Sequence, residues 1–503
     1  MVRSLILLAL FFFLMISCSS KKDTPENYLV IGIESAPRIL DPRYSTDAVS
    51  TNVTRLIFGG LLKRNKNLEL TLNLAEKYEQ PNPLTYIFRL KKNIYFHNGK
   101  QLTAKDVKYT FDSILDPVNA SPKKGELSQI KKIEAPGQYT IVITLKEVSA
   151  PFLEQMTMGI VPAGSGKLSG NPVGAGPFQF QSYDKGEKLL LKANKNYFAG
   201  APKLYGVEFK IVPDETVRLL ELKKGNIHIV SNPITPAVLP WLSQQENISI
   251  MKKTGTNVSY IGFNMEDKVV GNKLVREAIA YAIDRNSILK YLMKNLGIKA
   301  NSLISPINPF YNPSVSGYDF DPEKAKKLLD KAGYPNLGDG NPRLELTYKT
   351  SKNPVRKKIV EILAEQLRGV GIKVHIESFE WGTFFSDIKS GNFQMYSLTW
   401  VGIADPDIYH YIFHSQSLPP NGANRGRFVN RELDELLEKG RKETDFHKRK
   451  ELYDRVQEII AQELPYIHLW FSVNVAAINN KVHNFEIYPD ESLDSLVNVS
   501  LKK

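Results

Sequence analysis

The apolar and polar positions assign elements along most of the chain. Residues Tyr28–Ile33 read YLVIGI, an apolar run of strand length that predicts a buried strand. It runs into SAPRILDP, a loop with two prolines. Residues 86–90 and 139–145 also predict strands. Between them a helix starts at Thr103, which can cap the backbone N–H of Asp106, and Val107, Phe111, Ile114 and Leu115 then line one face. The stretch VPAGSGKLSGNPVGAGPF, from Val161, is rich in Gly, Pro and Ser and marks the clearest boundary. Strands at 188–193 and 207–212 follow. Val275, Ala278, Ile279, Ala282 and Ile283 make a helical stripe. Asp321-Pro322 opens another helix, with Ala325, Leu328 and Leu329 as its face and Gly333 as its end. The clearest unit comes next: strand 344–349, helix 355–367, strand 373–379, helix 381–390, strand 393–400. That βαβαβ order predicts parallel strands covered by helices, hence an α/β protein.

The N-terminus departs from this pattern. After Arg3, residues 5–16 read LILLALFFFLMI, which suits a signal-peptide core and is shorter than the ~20 residues a spanning helix needs. Met15-Ile16-Ser17-Cys18 follows and resembles a bacterial lipobox, with Met in place of the usual Leu. Cys18 is the one cysteine in the chain and stands where a lipid would be attached. The expectation is a signal peptide at 1–17, a lipidated leash at 18–25, and an exported protein held to a membrane on the periplasmic or cell-surface side. One acyl chain binds only marginally, so stable tethering needs two or three on that residue.

Composition narrows the class. The chain has 503 residues, 42% hydrophobic and 10% aromatic, which excludes a disordered chain. A single cysteine excludes a disulfide scaffold. The length suits about three domains, or two large ones. The net charge of +13 comes from scattered basic doublets such as Lys131-Lys132 and Lys252-Lys253, not from a stripe, so no nucleic-acid partner is expected.

Candidate chemistry is sparse. Gly164-Ser165-Gly166-Lys167 lacks the Ser or Thr and the spacing of a phosphate loop, and Gly174-Ala175-Gly176 lacks the third Gly of a dinucleotide fingerprint. No nucleophile–base pair or metal cluster supports an exported hydrolase, and no cofactor is expected. His410 and His414, at i and i+4, would share a helix face as metal ligands can, yet no third ligand accompanies them. Asp405-Pro406-Asp407 can bind a cation or a ligand amine, and is equally an ordinary helix start. In a parallel sheet ligands sit outside the carboxyl ends of strands. Two loops meet that description, 34–41 and 401–407. They make Ser35, Ala36, Trp400, Val401, Gly402, Ala404 and Asp405 the candidate ligand-binding residues.

Several segments together resemble the family 5 extracellular solute-binding proteins, the peptide/nickel-type receptors of bacterial ABC importers. The most specific is YIFRLKKNIYFHNGKQLTAKDVKYTFDSIL from Tyr86, with its aromatic strand, F-H-x-G turn and T-A-x-D-V helix. LDPRYSTDAVSTNVTRLIFGGL from Leu40, DPVNASP from Asp116, NPVGAGPF from Asn171, NKNYFAG from Asn194, VREAIAYAIDR from Val275 and ELPYIHLW from Glu463 follow in order. The resemblance implies a two-lobed, periplasmic-binding-protein-like fold with a hinge and an extra inserted domain. The first lobe would be 26–47, 170–258 and 479–503, the inserted domain 48–169 and the second lobe 259–478. It further implies a monomer that captures oligopeptides or a related small solute in an interlobe cleft and delivers them to an ABC permease in the inner membrane, without catalysis.

One departure bears on the ligand. Many peptide binders of the family show W-x-x-D-x-x-[DE]-P, whose first Asp pairs with the peptide's amino group. Here Ile403 holds that position, in Trp400-Val-Gly-Ile403-Ala-Asp405-Pro406, and the segment is one residue shorter. The amine is left to Asp405, to another acid, or without a strong holder. A same-fold receptor for a metal chelate or haem, and a lipoprotein scaffold or chaperone without a transport role, remain alternatives.

Overall fold

The computed structural model describes residues 27–168, 170–338 and 340–502; the expected signal peptide and the expected lipidation site Cys18 lie outside them. The first strand, Tyr28–Ile33, pairs in parallel with Gly206–Ile211 and with Ile229–Ser231. Lys188–Ala193 and Phe178–Asp184 extend that side of the sheet in antiparallel pairs. The βαβαβ unit forms as read. Leu344–Ser351 lies parallel to both Ile372–Phe379 and Met395–Trp400, with helices Pro354–Arg368 and Trp381–Ser390 as the crossovers.

Periodicity did not reveal two long strands, Ile248–Phe263 and Tyr466–Asn479, which join these halves into one eleven-stranded sheet. They pair antiparallel in two stretches, 248–254 with 473–479 and 258–262 with 466–471. Between the stretches the register shifts, and Gly255, Thr256 and Asn257 fall out of step. Such an irregularity bends a strand and increases its twist. The first stretch continues into Ile229–Ser231, the second into Met395–Trp400. The sheet is therefore two lobes joined by a pair of strands, an arrangement that permits hinge closure.

Each body has its own core. Leu29, Ile31, Val207 and Phe209 centre the first lobe. In the second, Val275, Ile279, Leu346 and Leu363 pack on one face of the sheet, and Tyr396, Tyr409, Phe413 and Tyr453 on the other. A separate four-stranded sheet, in the order Ala75–Asn82, Thr85–Leu90, Thr140–Leu145, Ile130–Gly137, carries the helix Ala104–Leu115 over a core that includes Phe88, Phe111 and Ile141. At the start of that helix the Thr103 N–H and hydroxyl donate to the Asp106 carboxylate at 2.7 and 2.9 Å. No helix among the described residues is long and apolar enough to cross a membrane.

Candidate functional site

The carboxyl ends of the parallel strands of both lobes open onto one cavity of about 680 Å³. Glu34 follows the first strand and Asn232 follows Ile229–Ser231, both on the first-lobe wall. Val401 follows Met395–Trp400, and Arg356 sits in the first turn of the helix after Leu344–Ser351, on the second-lobe wall. The joining strands contribute Asn257 and the residues 472–475, and the C-terminal segment contributes Phe485, Tyr488 and Glu491. Much of the wall is apolar, with a few polar groups set into it, as in small-molecule sites of roughly 300–1,000 Å³.

The charged groups at the wall are Glu34, Glu491 and Arg356. Glu491 is partly buried, and Asn257 Nδ2 donates to its Oε1 at 3.0 Å. Burial raises its pKa, and hydrogen bonds from the Asn232 and Asn257 side chains oppose that rise. Its backbone is held in place: Asn52 Nδ2 donates to its carbonyl at 3.1 Å, and Asn474 Nδ2 donates to the carbonyls of Tyr488 and Pro489 at 3.2 and 3.0 Å. Arg356 lies over the Trp381 ring, with its guanidinium carbon 5.4 Å from the centroid, and Trp381 stacks in turn on Phe385. Burial lowers its pKa, and no carboxylate among the described residues forms an ion pair with it.

The loop after Trp400 does several jobs. The Trp400 ring lies parallel to Tyr260 at 6.1 Å and takes the Arg425 guanidinium on its face at 4.7 Å. Val401 is 69% exposed and faces the cavity. Gly402, with φ +68°, donates its N–H to Asn257 Oδ1 at 2.9 Å. Ile403 is buried in the second-lobe core. The Ala404 carbonyl accepts from Asn308 Nδ2 at 2.8 Å. Both Asp405 oxygens are taken by Arg449, at 2.9 and 2.7 Å, in a fork-to-fork pair. Of the candidate ligand-binding residues, Val401 borders the cavity directly. Ser35 and Ala36 follow Glu34, which does so, and Trp400 and Gly402 flank Val401.

Beside the Asp405–Arg449 pair, burial raises Asp407 to about 6 despite its 2.9 Å ion pair with Arg441. Burial also raises Glu154 to about 7, although it pairs with Arg64. Glu154 belongs to the body with the small sheet, which touches the second lobe where Ala150 N donates to Arg441 O at 2.8 Å. His410 and His414 stack with centroids 4.4 Å apart. His410 Nε2 meets Arg441 at 3.4 Å, and burial and that guanidinium lower its pKa to about 3. His414 Nε2 faces Glu438 at 3.3 Å, and neither ring lines the cavity. Among the described residues no three His, Cys, Asp or Glu side chains are grouped to hold a metal ion.

Asn232, Asn257, Arg356 and Glu491 were not singled out from the sequence. Arg356 was within reach of the carboxyl-end rule, since it follows a strand of the recognised βαβαβ unit. The other three carry no local signal: two are isolated asparagines, and Glu491 follows no strand of the sheet.

Comparison with known proteins gives this geometry a family. The family model described as bacterial extracellular solute-binding proteins, family 5 Middle, matches residues 69–418. The chain is 29% identical to the oligopeptide-binding protein AppA of Bacillus subtilis over 493 residues, covering 92% of this chain and 90% of that one. It is 28% identical to haem-binding protein A of Haemophilus influenzae over 498 residues, again covering 92% and 90%. The solved structure of Bacillus subtilis AppA in complex with a nonapeptide superposes with a TM-score of 0.78 at 27% identity, over 94% of this chain and 99% of that one. The chain belongs to family 5 of the bacterial extracellular solute-binding proteins.

Proposed function

We propose that this chain is the receptor of an ABC importer, capturing oligopeptides or a related small zwitterionic solute between its lobes and delivering them to a permease in the inner membrane. The observation that carries the reading is the cavity itself. It is walled by strand ends of both lobes and lies across the two strands that join them, so a ligand there contacts both bodies and favours closure. Arg356, unpaired by any carboxylate among the described residues, suits the ligand's carboxylate. Ser35, Ala36, Trp400, Val401, Gly402 and Ala404 form or support the ligand wall, whereas Asp405 serves Arg449. The protein binds and does not catalyse. Native mass spectrometry of the purified protein, before and after exposure to a tryptic casein digest, tests the reading. Retained peptides are expected, and a co-purified haem or metal chelate in their place would contradict it.

The same reading makes Cys18 a lipid attachment site that ties the exported protein to a membrane. Cys18→Ala is expected to move the protein from the membrane fraction to the soluble one, or to leave it unprocessed. Fatty-acid labelling that persists in the variant would contradict this.

A further inference from the structure

We propose that Glu491 is the carboxylate that receives the ligand's ammonium group, from the first lobe, in place of an acid on the loop after Trp400. The assignment rests on the reading of the chain as a peptide receptor.

That loop has no carboxylate to offer. Ile403 is buried among apolar side chains. Asp405 gives both oxygens to Arg449, and Asp407 is paired with Arg441. Of the two acids at the cavity wall, Glu34 stands exposed on its loop, where water screens it. Glu491 is the acid withdrawn from water. Its carboxylate receives neutral amide donors, and no Lys or Arg among the described residues forms an ion pair with it. The neighbouring acid, Asp490, is already paired with Arg55 at 2.8 Å. A partly buried carboxylate given donors and no cation is costly unless a charge arrives to complete it.

Its position fits the same conclusion. Asn257 donates to Glu491 Oε1 at 3.0 Å and accepts from the Gly402 N–H at 2.9 Å. One amide therefore separates the carboxylate from the loop that would otherwise carry the acid. Glu491 adopts φ +61°, rare for a residue with a side chain, and this conformation is held by the bonds of Asn52 and Asn474 around it. The backbone is fixed in this way, and the bond from Asn257 directs the carboxylate, as a binding group requires.

The test uses the peptide most abundantly retained from a tryptic casein digest, synthesised with its amino terminus free and acetylated. Calorimetry on the wild type is expected to favour the free form by about tenfold or more. In Glu491→Gln, which keeps the size and an amide acceptor, affinity for the free form should fall to that of the acetylated one. Glu491→Asp should retain part of the preference. Melting temperatures no lower than that of the wild type would show that the variants fold. A preference that survives in Glu491→Gln, or a wild type indifferent to acetylation, would overturn the assignment alone. Retention of no peptide at all would overturn the peptide reading, and the assignment with it.

Discussion

Replacing Arg449 with Met is expected to cost about 3–5 kcal/mol of folding stability, the usual penalty for leaving one partner of a buried ion pair alone. The Arg449 side chain is 7% exposed and that of Asp405 17%. Its guanidinium takes both Asp405 oxygens, donates from Nε to the Gly440 carbonyl at 3.1 Å, and lies over the Phe310 and Tyr453 rings at 5.1 and 5.3 Å. Without it, Asp405 would face Asp407 and Glu154 with the nearest compensating charge gone. Urea denaturation should show a lower midpoint at an unchanged slope. The double variant Arg449→Met, Asp405→Leu should recover part of the loss, because it removes the stranded charge as well. Asp405→Asn should leave any preference for a free amino terminus intact. A loss below about 1 kcal/mol in Arg449→Met would mean that Asp405 is not held as described and is available to a ligand.

The second large effect is expected at Gly174. A Cβ there would lie 2.0 Å from the Ile57 carbonyl oxygen, and one at Gly176 would lie 2.4 Å from that of Leu56. Both contacts are with backbone at the end of the helix Ala48–Ile57, so no side chain can swing aside to relieve them. The segment also carries hydrogen bonds that fix its path. Gly176 N donates to Ile57 O at 2.8 Å, His97 N donates to Gly174 O at 2.8 Å, and His97 Nε2 lies 3.0 Å from Gly176 O. Because Gly174 N approaches His97 Nδ1 at 3.3 Å, that nitrogen accepts and Nε2 carries the proton. Gly174→Ala should therefore force the chain away from the helix end and destabilise the protein by about 3 kcal/mol or more, at the upper end of single-substitution effects. A melting temperature within a degree of the wild type would refute the close approach.

These locks explain what could be read from the sequence. The family-like segments are largely structural, and they hold one another. The F-H-x-G turn grips NPVGAGPF through His97, and Asn194 of NKNYFAG donates to the Gly176 carbonyl at 3.0 Å. Arg276 of VREAIAYAIDR is buried and donates to the carbonyls of Glu463 and Leu464, in ELPYIHLW, at 2.8 and 3.0 Å. Arg285 of the same segment donates to His468 O at 2.8 Å. Contiguous motifs of this kind are legible because each packs as a unit. The βαβαβ unit was legible for a related reason, since Leu344–Ser351 and Ile372–Phe379 alternate apolar and polar residues and stand between amphipathic helices. The joining strands were not. IMKKTGTNV interrupts the first with lysines and a glycine, because that stretch crosses between lobes and is half exposed. The cavity wall was least legible. Asn232, Asn257, Arg356 and Glu491 come from four distant segments, and only the folded chain brings them together.

The two lobes are expected to close about the strands Ile248–Phe263 and Tyr466–Asn479 when a ligand fills the cavity between them. Small-angle scattering of the purified protein, free and saturated with a peptide retained from the casein digest, measures this directly. The radius of gyration should fall on saturation and recover when the peptide is removed. Identical scattering curves with the peptide demonstrably bound would contradict it.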